Sequence, residues 1–111
     1  YTQIEGVTYD FEIDSFAATA GAAGEVTFTG TAPSNAITDK IRIYRVDPQG
    51  GTFSPGQSGT EVFANQNVEP GAAFTIAMTG ATSGSFDFYG VPMTALESLG
   101  TASGPEAVTI T

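Results

Sequence analysis

Short runs of alternating apolar and polar residues, separated by turn-forming residues at intervals of roughly ten, limit the fold of this chain more than any other feature. In residues 74–79, Phe, Ile and Met alternate with Thr, Ala and Thr. Pro-Gly pairs at 55–56 and 70–71 interrupt the pattern. No window of helical length carries apolar residues at three- and four-residue spacing. The sequence therefore predicts an all-β sandwich or barrel without helices.

Seven runs have the alternation expected of strands. They cover residues 7–16, 25–31, 39–46, 61–68, 74–79, 85–91 and 107–111. Run 39–46 is apolar on both faces, which predicts a central strand, whereas 61–68 is predicted to be an edge strand. Phe16 breaks the alternation of the first run, so we expect a bend, bulge or strand switch near Ser15. The Gly- and Pro-rich stretch 47–60 is predicted to be an exposed loop.

Composition excludes several classes of function. The 111 residues fit one domain and include neither Cys nor His. Disulfides and thiol catalysis are therefore excluded, and the commonest general base and metal ligand is missing. The net charge is −9, and the only basic residues, Lys40, Arg42 and Arg45, are too few for the phosphate contacts of nucleic-acid binding. No apolar run is long enough for membrane insertion. Because the chain begins at Tyr1, we expect it to be processed or excised from a longer protein.

Three carboxylates, those of Asp10, Glu12 and Asp14, share one face of the first predicted strand at intervals of about 6.5–7 Å. They are weak candidates for a Ca²⁺ site, which would need loop carbonyls as further ligands. A solvated strand face explains the same residues, because acidic side chains are mostly exposed. Paired carboxylates can also perform glycosidase chemistry, but only in a cleft that raises the pKa of one of them. With no nucleophile motif, the chain is predicted not to be an enzyme and to need no cofactor.

Three stretches after residue 14 carry a family resemblance: EVTFTGTAP at 25–33, KIRIYRV at 40–46, and GSFDFYGVP at 84–92 with Val-Thr-Ile at 108–110. They resemble the second strand, the third strand and the last hairpin of a fibronectin type III or related immunoglobulin-like sandwich, of the kind found in bacteriophage structural and bacterial surface proteins. The family usually keeps a Trp in the second strand and a Tyr in the penultimate one. Here Phe28 and Phe86 occupy those places, so the tyrosine-corner hydrogen bond cannot form.

The resemblance implies one antiparallel β-sandwich of about seven strands over residues 15–111. Residues 1–14 lie outside the usual pattern. They are interpreted as an extra strand, a linker from a preceding domain, or an arm that pairs with a neighbouring subunit.

Five residues are candidates for contacts with a partner: Phe53, Ile41, Ile43, Tyr9 and Phe11. Phe53 lies among Gly, Thr, Ser and Pro, and is either a loop-tip anchor or folded over the sandwich edge. Ile41 and Ile43 form one side of the two-faced strand, where either a partner or another part of this chain covers them. Tyr9 and Phe11 belong to the N-terminal arm and would contact the subunit with which the arm pairs.

The function predicted first is that of a non-catalytic structural module of a virion, such as a capsid decoration, tail or fibre domain. Its partners would be other structural subunits and, in an adhesive role, host-surface glycans. One alternative is a subunit or repeat of a prokaryotic surface filament or adhesin that exchanges its N-terminal strand. Another is a carbohydrate-binding accessory domain of a secreted enzyme. All three place the chain in a virion, outside the cell or at the cell surface.

Overall fold

The computed structural model describes residues 11–96 and 99–111, which form strands joined by turns and loops. The strands are β1 (Asp14–Ala20), β2 (Val26–Thr31), β3 (Lys40–Val46), β4 (Thr60–Asn67), β5 (Ala73–Met78), β6 (Gly84–Met93) and β7 (Ser103–Ile110). Within these two ranges there is no helix of the length and apolarity that a membrane span requires.

The seven strands form two antiparallel sheets that pack face to face. One sheet has the order β1-β2-β5 and the other the order β4-β3-β6-β7. The predicted all-β sandwich of about seven strands is therefore confirmed. So are the central position of β3, which lies between β4 and β6, and the edge position of β4.

The core between the sheets is built around phenylalanines. Phe28 of β2 and Phe88 of β6 are fully buried, and their rings meet edge to face at 5.0 Å. Phe63 of β4 contacts both, at 5.8 Å and 5.0 Å. Burying a side chain of this size stabilises the fold by about 1.5–3 kcal/mol, and a favourable ring pair adds about 0.5–1.5 kcal/mol. Phe86 belongs to the same core, with its ring 6.2 Å from that of Phe88, and the Arg45 guanidinium lies 4.7 Å from the centre of the Phe86 ring.

The beginning of the described chain joins the two sheets. Residues 11–13 lie beside the start of β7, where the Thr101 N–H donates to the Phe11 carbonyl at 3.0 Å. From Asp14 onward the chain pairs with β2 instead. The change of sheet occurs between Glu12 and Asp14, and Ser15, with a φ of 56°, lies in the shift of register that follows directly. The predicted irregularity near Ser15 is confirmed: it combines a switch between sheets with a shift in strand register.

Residues 7–10 of the predicted first strand lie outside the described residues. The division into an arm (1–14) and a sandwich (15–111) stays a prediction. Within the described part, Ile13 is buried in the main core, so the packed sandwich includes at least this residue of the arm.

The two ends of the described chain lie at opposite poles of the sandwich. Phe11 lies beside Thr101, at the start of β7. Thr111 lies at the other pole, where its carbonyl accepts a hydrogen bond from the Gly24 N–H at 2.9 Å in the β1–β2 turn. About ten residues of extended chain separate these poles, which corresponds to about 30 Å.

Candidate functional site

The connection between β3 and β4, residues 47–59, folds over the outer face of the four-stranded sheet. The Phe53 ring stacks on Tyr89 with a centroid distance of 4.3 Å and an interplanar angle of 18°. It also meets the Tyr44 ring edge to face at 5.4 Å. Phe53, Tyr44 and Tyr89 belong to a second apolar cluster, separate from the core between the sheets, and the Phe53 ring is half-buried there. Of the two positions that the sequence left open for Phe53, packing against the chain's own surface is the one observed.

Polar contacts hold the same loop in place. The Gly50 N–H donates to Asp87 Oδ2 at 2.9 Å, and Asp87 is buried beneath the loop. Thr60 Oγ1 accepts from the Ser54 N–H at 3.0 Å and donates to the Thr52 carbonyl at 3.2 Å. Hydrogen bonds therefore hold the loop near its beginning at Gly50 and at Thr52 and Ser54, on either side of the packed Phe53 ring.

Ile41 and Ile43 do not form an outward surface. Both are fully buried in the main core, so of the two alternatives, cover by this chain itself is the one observed, and their assignment as partner contacts is corrected. The opposite side of β3 is also buried, because the 47–59 loop covers Tyr44 and Val46. Both sides of β3 are apolar, and each of them is covered by a different part of this chain.

An open groove of about 440 Å³ lies between the tip of the loop and the outer sides of β3 and β4. It is lined mainly by Arg42, Tyr44, Gln57, Ser58, Glu61 and Val62. Arg42 Nε donates to Asn65 Oδ1 at 2.8 Å, and Nη1 donates to the Tyr44 hydroxyl at 3.4 Å. Val62 is 53% exposed and adds an apolar patch. The groove thus combines donors, acceptors and an apolar contact on a rigid base.

Two of the predicted calcium ligands, Glu12 and Asp14, are exposed and line a different groove, together with Thr31 and Ser34. Among residues 11–96 and 99–111, no three acidic, His or Cys side chains are grouped so that they could hold a metal ion. Asp10 lies outside those ranges. The described residues therefore supply two carboxylates on an open surface, which by themselves do not form a metal site.

Of the arm residues predicted to contact a partner, Tyr9 lies outside the described residues. Phe11 is half-buried against Gly100, where a β-carbon would come within 2.6 Å of Phe11 Cδ2. Sequence reasoning missed two exposed residues in the β6–β7 connection, Leu96 (83% exposed) and Leu99 (49%). Large apolar residues in a segment without alternation were the available signal.

Comparisons with known proteins bear on the fold. No protein-family model matches the chain, and no curated protein matches its sequence. Among solved structures, the chain is similar to catalytically inactive OgpA from Akkermansia muciniphila, in complex with an O-glycopeptide (glycodrosocin) substrate. The TM-score is 0.64 at 12% identity, over 96% of this chain and 32% of that one.

A second similarity is to a GH3 β-glucosidase from Bifidobacterium adolescentis, with a TM-score of 0.48 at 15% identity. It covers 92% of this chain and 17% of that one. This chain therefore spans about a third or less of each protein. The likeness to OgpA shows a shared β-sandwich fold.

Proposed function

We propose that this chain is a non-catalytic structural module that holds neighbouring segments apart and contacts other subunits. The observation that carries the proposal is the position of Phe11 and Thr111 at opposite poles of a rigid sandwich. The two poles are separated by the length of the strands, so the module would hold whatever is joined beyond them at a fixed distance. The fixed 47–59 loop and the phenylalanine core support the rigidity that this role requires.

The strand order supports a fibronectin type III kind of module. In the constant-type immunoglobulin arrangement, the fourth strand lies in the same sheet as strands one, two and five. Here β4 pairs with β3 in the other sheet. That departure fits the fibronectin type III resemblance of the sequence better than the immunoglobulin one.

The spacing role is tested by measuring the distance between the poles. The chain has no Cys, so spin labels can be attached to Glu12→Cys and Thr111→Cys alone. A rigid spacer gives one narrow distance distribution centred near about 30 Å, unchanged when folded domains are fused to both ends. A broad distribution, or one that shifts with the fused domains, contradicts the proposal.

We further propose a virion as the setting of this module, as a decoration, tail or fibre domain. The support is the sequence resemblance to sandwiches of bacteriophage structural proteins and the acidic, Cys-free composition. The encoding locus provides the test. Neighbouring capsid, portal or tail genes, and peptides of this chain in purified particles, are expected. A locus without such genes counts against the virion setting and leaves the spacing role intact.

One observation favours a second candidate, a carbohydrate-binding accessory domain. The sandwich resembles about a third of OgpA, whose structure contains an O-glycopeptide. The groove beside Arg42 and Gln57 offers the mixture of polar groups and apolar surface that sugar recognition uses.

Glycan-array binding of the intact chain tests this candidate. Binding that is lost in Gln57→Ala with Ser58→Ala, and kept in the control Thr29→Ala on the other sheet, would support it. No glycan bound at high protein concentration would remove it.

A further inference from the structure

Four strands of the sandwich lie at a sheet edge, and three of them carry features that hinder pairing with another strand. The start of β7 is covered by residues 11–13, and Pro105 within β7 has no N–H to donate. Strand β1 is irregular at Ser15. Strand β4 has a register shift at Phe63 and carries the charge of Glu61.

Strand β5 carries none of these features. Its six residues pair with β2 in unbroken register, and they include no charged residue, proline or glycine. About half of the N–H and C=O groups of an edge strand point away from its sheet. In the part of the chain that the structure describes, no strand pairs with the free side of β5. This edge can therefore accept another strand.

The segment of sequence that contains β5 is uncharged in an otherwise acidic chain. No charged residue occurs between Glu69 and Asp87, although the net charge is −9. On the outer face of the same sheet, the positions along β2 and β5 carry only threonine and alanine: Thr27, Thr29, Thr31, Ala73, Thr75 and Ala77. The exposed Asp14 pairs with Thr31 on β1, the edge strand away from β5. Because like charges repel, two acidic copies approach each other most readily where neither carries charge.

We propose that two copies of this chain associate through β5, with the two β5 strands antiparallel about a twofold axis. The contact uses the same surface on both copies and extends each three-stranded sheet into a six-stranded one. The small side chains of Ala73, Thr75 and Ala77 leave room for strands at the usual spacing of about 4.8 Å. The inference rests on the proposed function, a module that contacts other subunits, and names the partner and the surface.

The first test is the dependence of association on concentration and salt. A pair of six-residue strands buries less area than a permanent interface, so the dimer is weak and forms at high chain concentration. Sedimentation velocity should show more dimer as NaCl rises from about 0.01 M to about 1 M, because the Debye length falls from about 30 Å to about 3 Å. A chain that stays monomeric throughout overturns the proposal.

A matched pair of charge variants locates the surface. Thr75→Lys places lysines near each other across the twofold axis, and we expect it to weaken the dimer by about fivefold or more. Thr19→Lys makes the same change of net charge on the other edge strand of the same sheet and is expected to leave the dimer unchanged. Equal dimerisation of both variants would show that another surface is used.

Crosslinking gives a readout that does not depend on the lysine variants. Single cysteines at Ala73, Thr75 and Ala77 are compared with Thr19→Cys under mild oxidation, in a chain that has no other thiol. The positions nearest the axis should form disulfide-linked dimers, while Thr19→Cys stays monomeric. Equal rates at all four positions contradict the β5 contact. A failed β5 contact combined with a narrow distance between the poles would overturn only this inference and not the spacing role.

Discussion

Phe53 shows how a single side chain can determine the conformation of a long loop. It is the residue of the 47–59 loop that stacks on Tyr89 and meets Tyr44. We predict that Phe53→Ala lowers the free energy of unfolding by about 2 kcal/mol, below the value for a fully buried Phe, because the ring is half-buried. Phe53→Leu keeps most of the volume and should cost less.

Urea unfolding followed by circular dichroism measures both changes, and hydrogen exchange reports on the loop. Faster exchange at residues 50–59 in Phe53→Ala, with slow exchange retained in β2, is the expected pattern. Equal stability of the alanine variant and the unchanged chain would mean that the ring does not hold the loop.

Asp87 holds the beginning of the same 47–59 loop. Its carboxylate is buried and accepts the Gly50 N–H at 2.9 Å. Asp87→Ala leaves that donor without its partner, and we predict a loss of about 1–3 kcal/mol. Asp87→Asn retains an oxygen acceptor and should lose clearly less. Thermal unfolding of the two variants distinguishes them; a larger loss for Asn than for Ala would argue against an acceptor role.

At the residue scale, sequence identified which side chains are unusual but not always where they point. Phe53 stands out in the sequence because its immediate neighbours offer no packing partner, whereas its actual partners are Tyr44 on the preceding strand β3 and Tyr89 on the distant strand β6. Ile41 and Ile43 were ambiguous because both faces of β3 are apolar. Alternation alone cannot tell a core from a surface that a loop covers.

At the scale of elements, two glycines make room for the strand switch at the start of the chain. A β-carbon on Gly30 of β2 would come within 2.9 Å of Ile13 Cγ2, and one on Gly90 of β6 within 2.8 Å of Phe16 Cε1. The side chains of Ile13 and Phe16 therefore pack directly against the backbone of both sheets, at one side of the sandwich.

This packing predicts that Gly90→Ala and Gly30→Ala each lower stability by about 1–3 kcal/mol through overpacking. Thr29→Ala, an exposed neighbour on β2, is the control and should change stability little. Chemical denaturation gives the three values. If Gly90→Ala is as stable as the control, the switch segment is not packed against β6 in solution.

Most elements were predictable because each buries alternate residues, and this pattern is local. The central position of β3 in its sheet followed from the apolar character of both of its faces. The strand switch was signalled only by the break in alternation at Phe16. Its path beside β7 depends on Gly90 and Gly100, which are about 75 residues or more further along the chain, so no local pattern could show it.

For the whole molecule, the acidic charge opposes folding. Twelve acids against three bases are brought close together in the compact state, and their repulsion lowers its stability. We predict that the melting temperature rises as NaCl increases from about 0.01 M to about 0.5 M, since the charges are then screened. NaCl and KCl should act alike. A melting temperature that falls, or rises with only one cation, would mean that repulsion is not the main effect.

The opposite positions of Phe11 and Thr111 also bear on how such a unit can be repeated. In a head-to-tail series of these sandwiches, Phe11 and Thr111 of each copy would be about 30 Å apart, and β5 would stay open along the flank of the series. The length of such a series and its sideways association through β5 would then be independent of each other. Duplication of one coding segment would change the length of a fibre in equal steps without altering any packed residue.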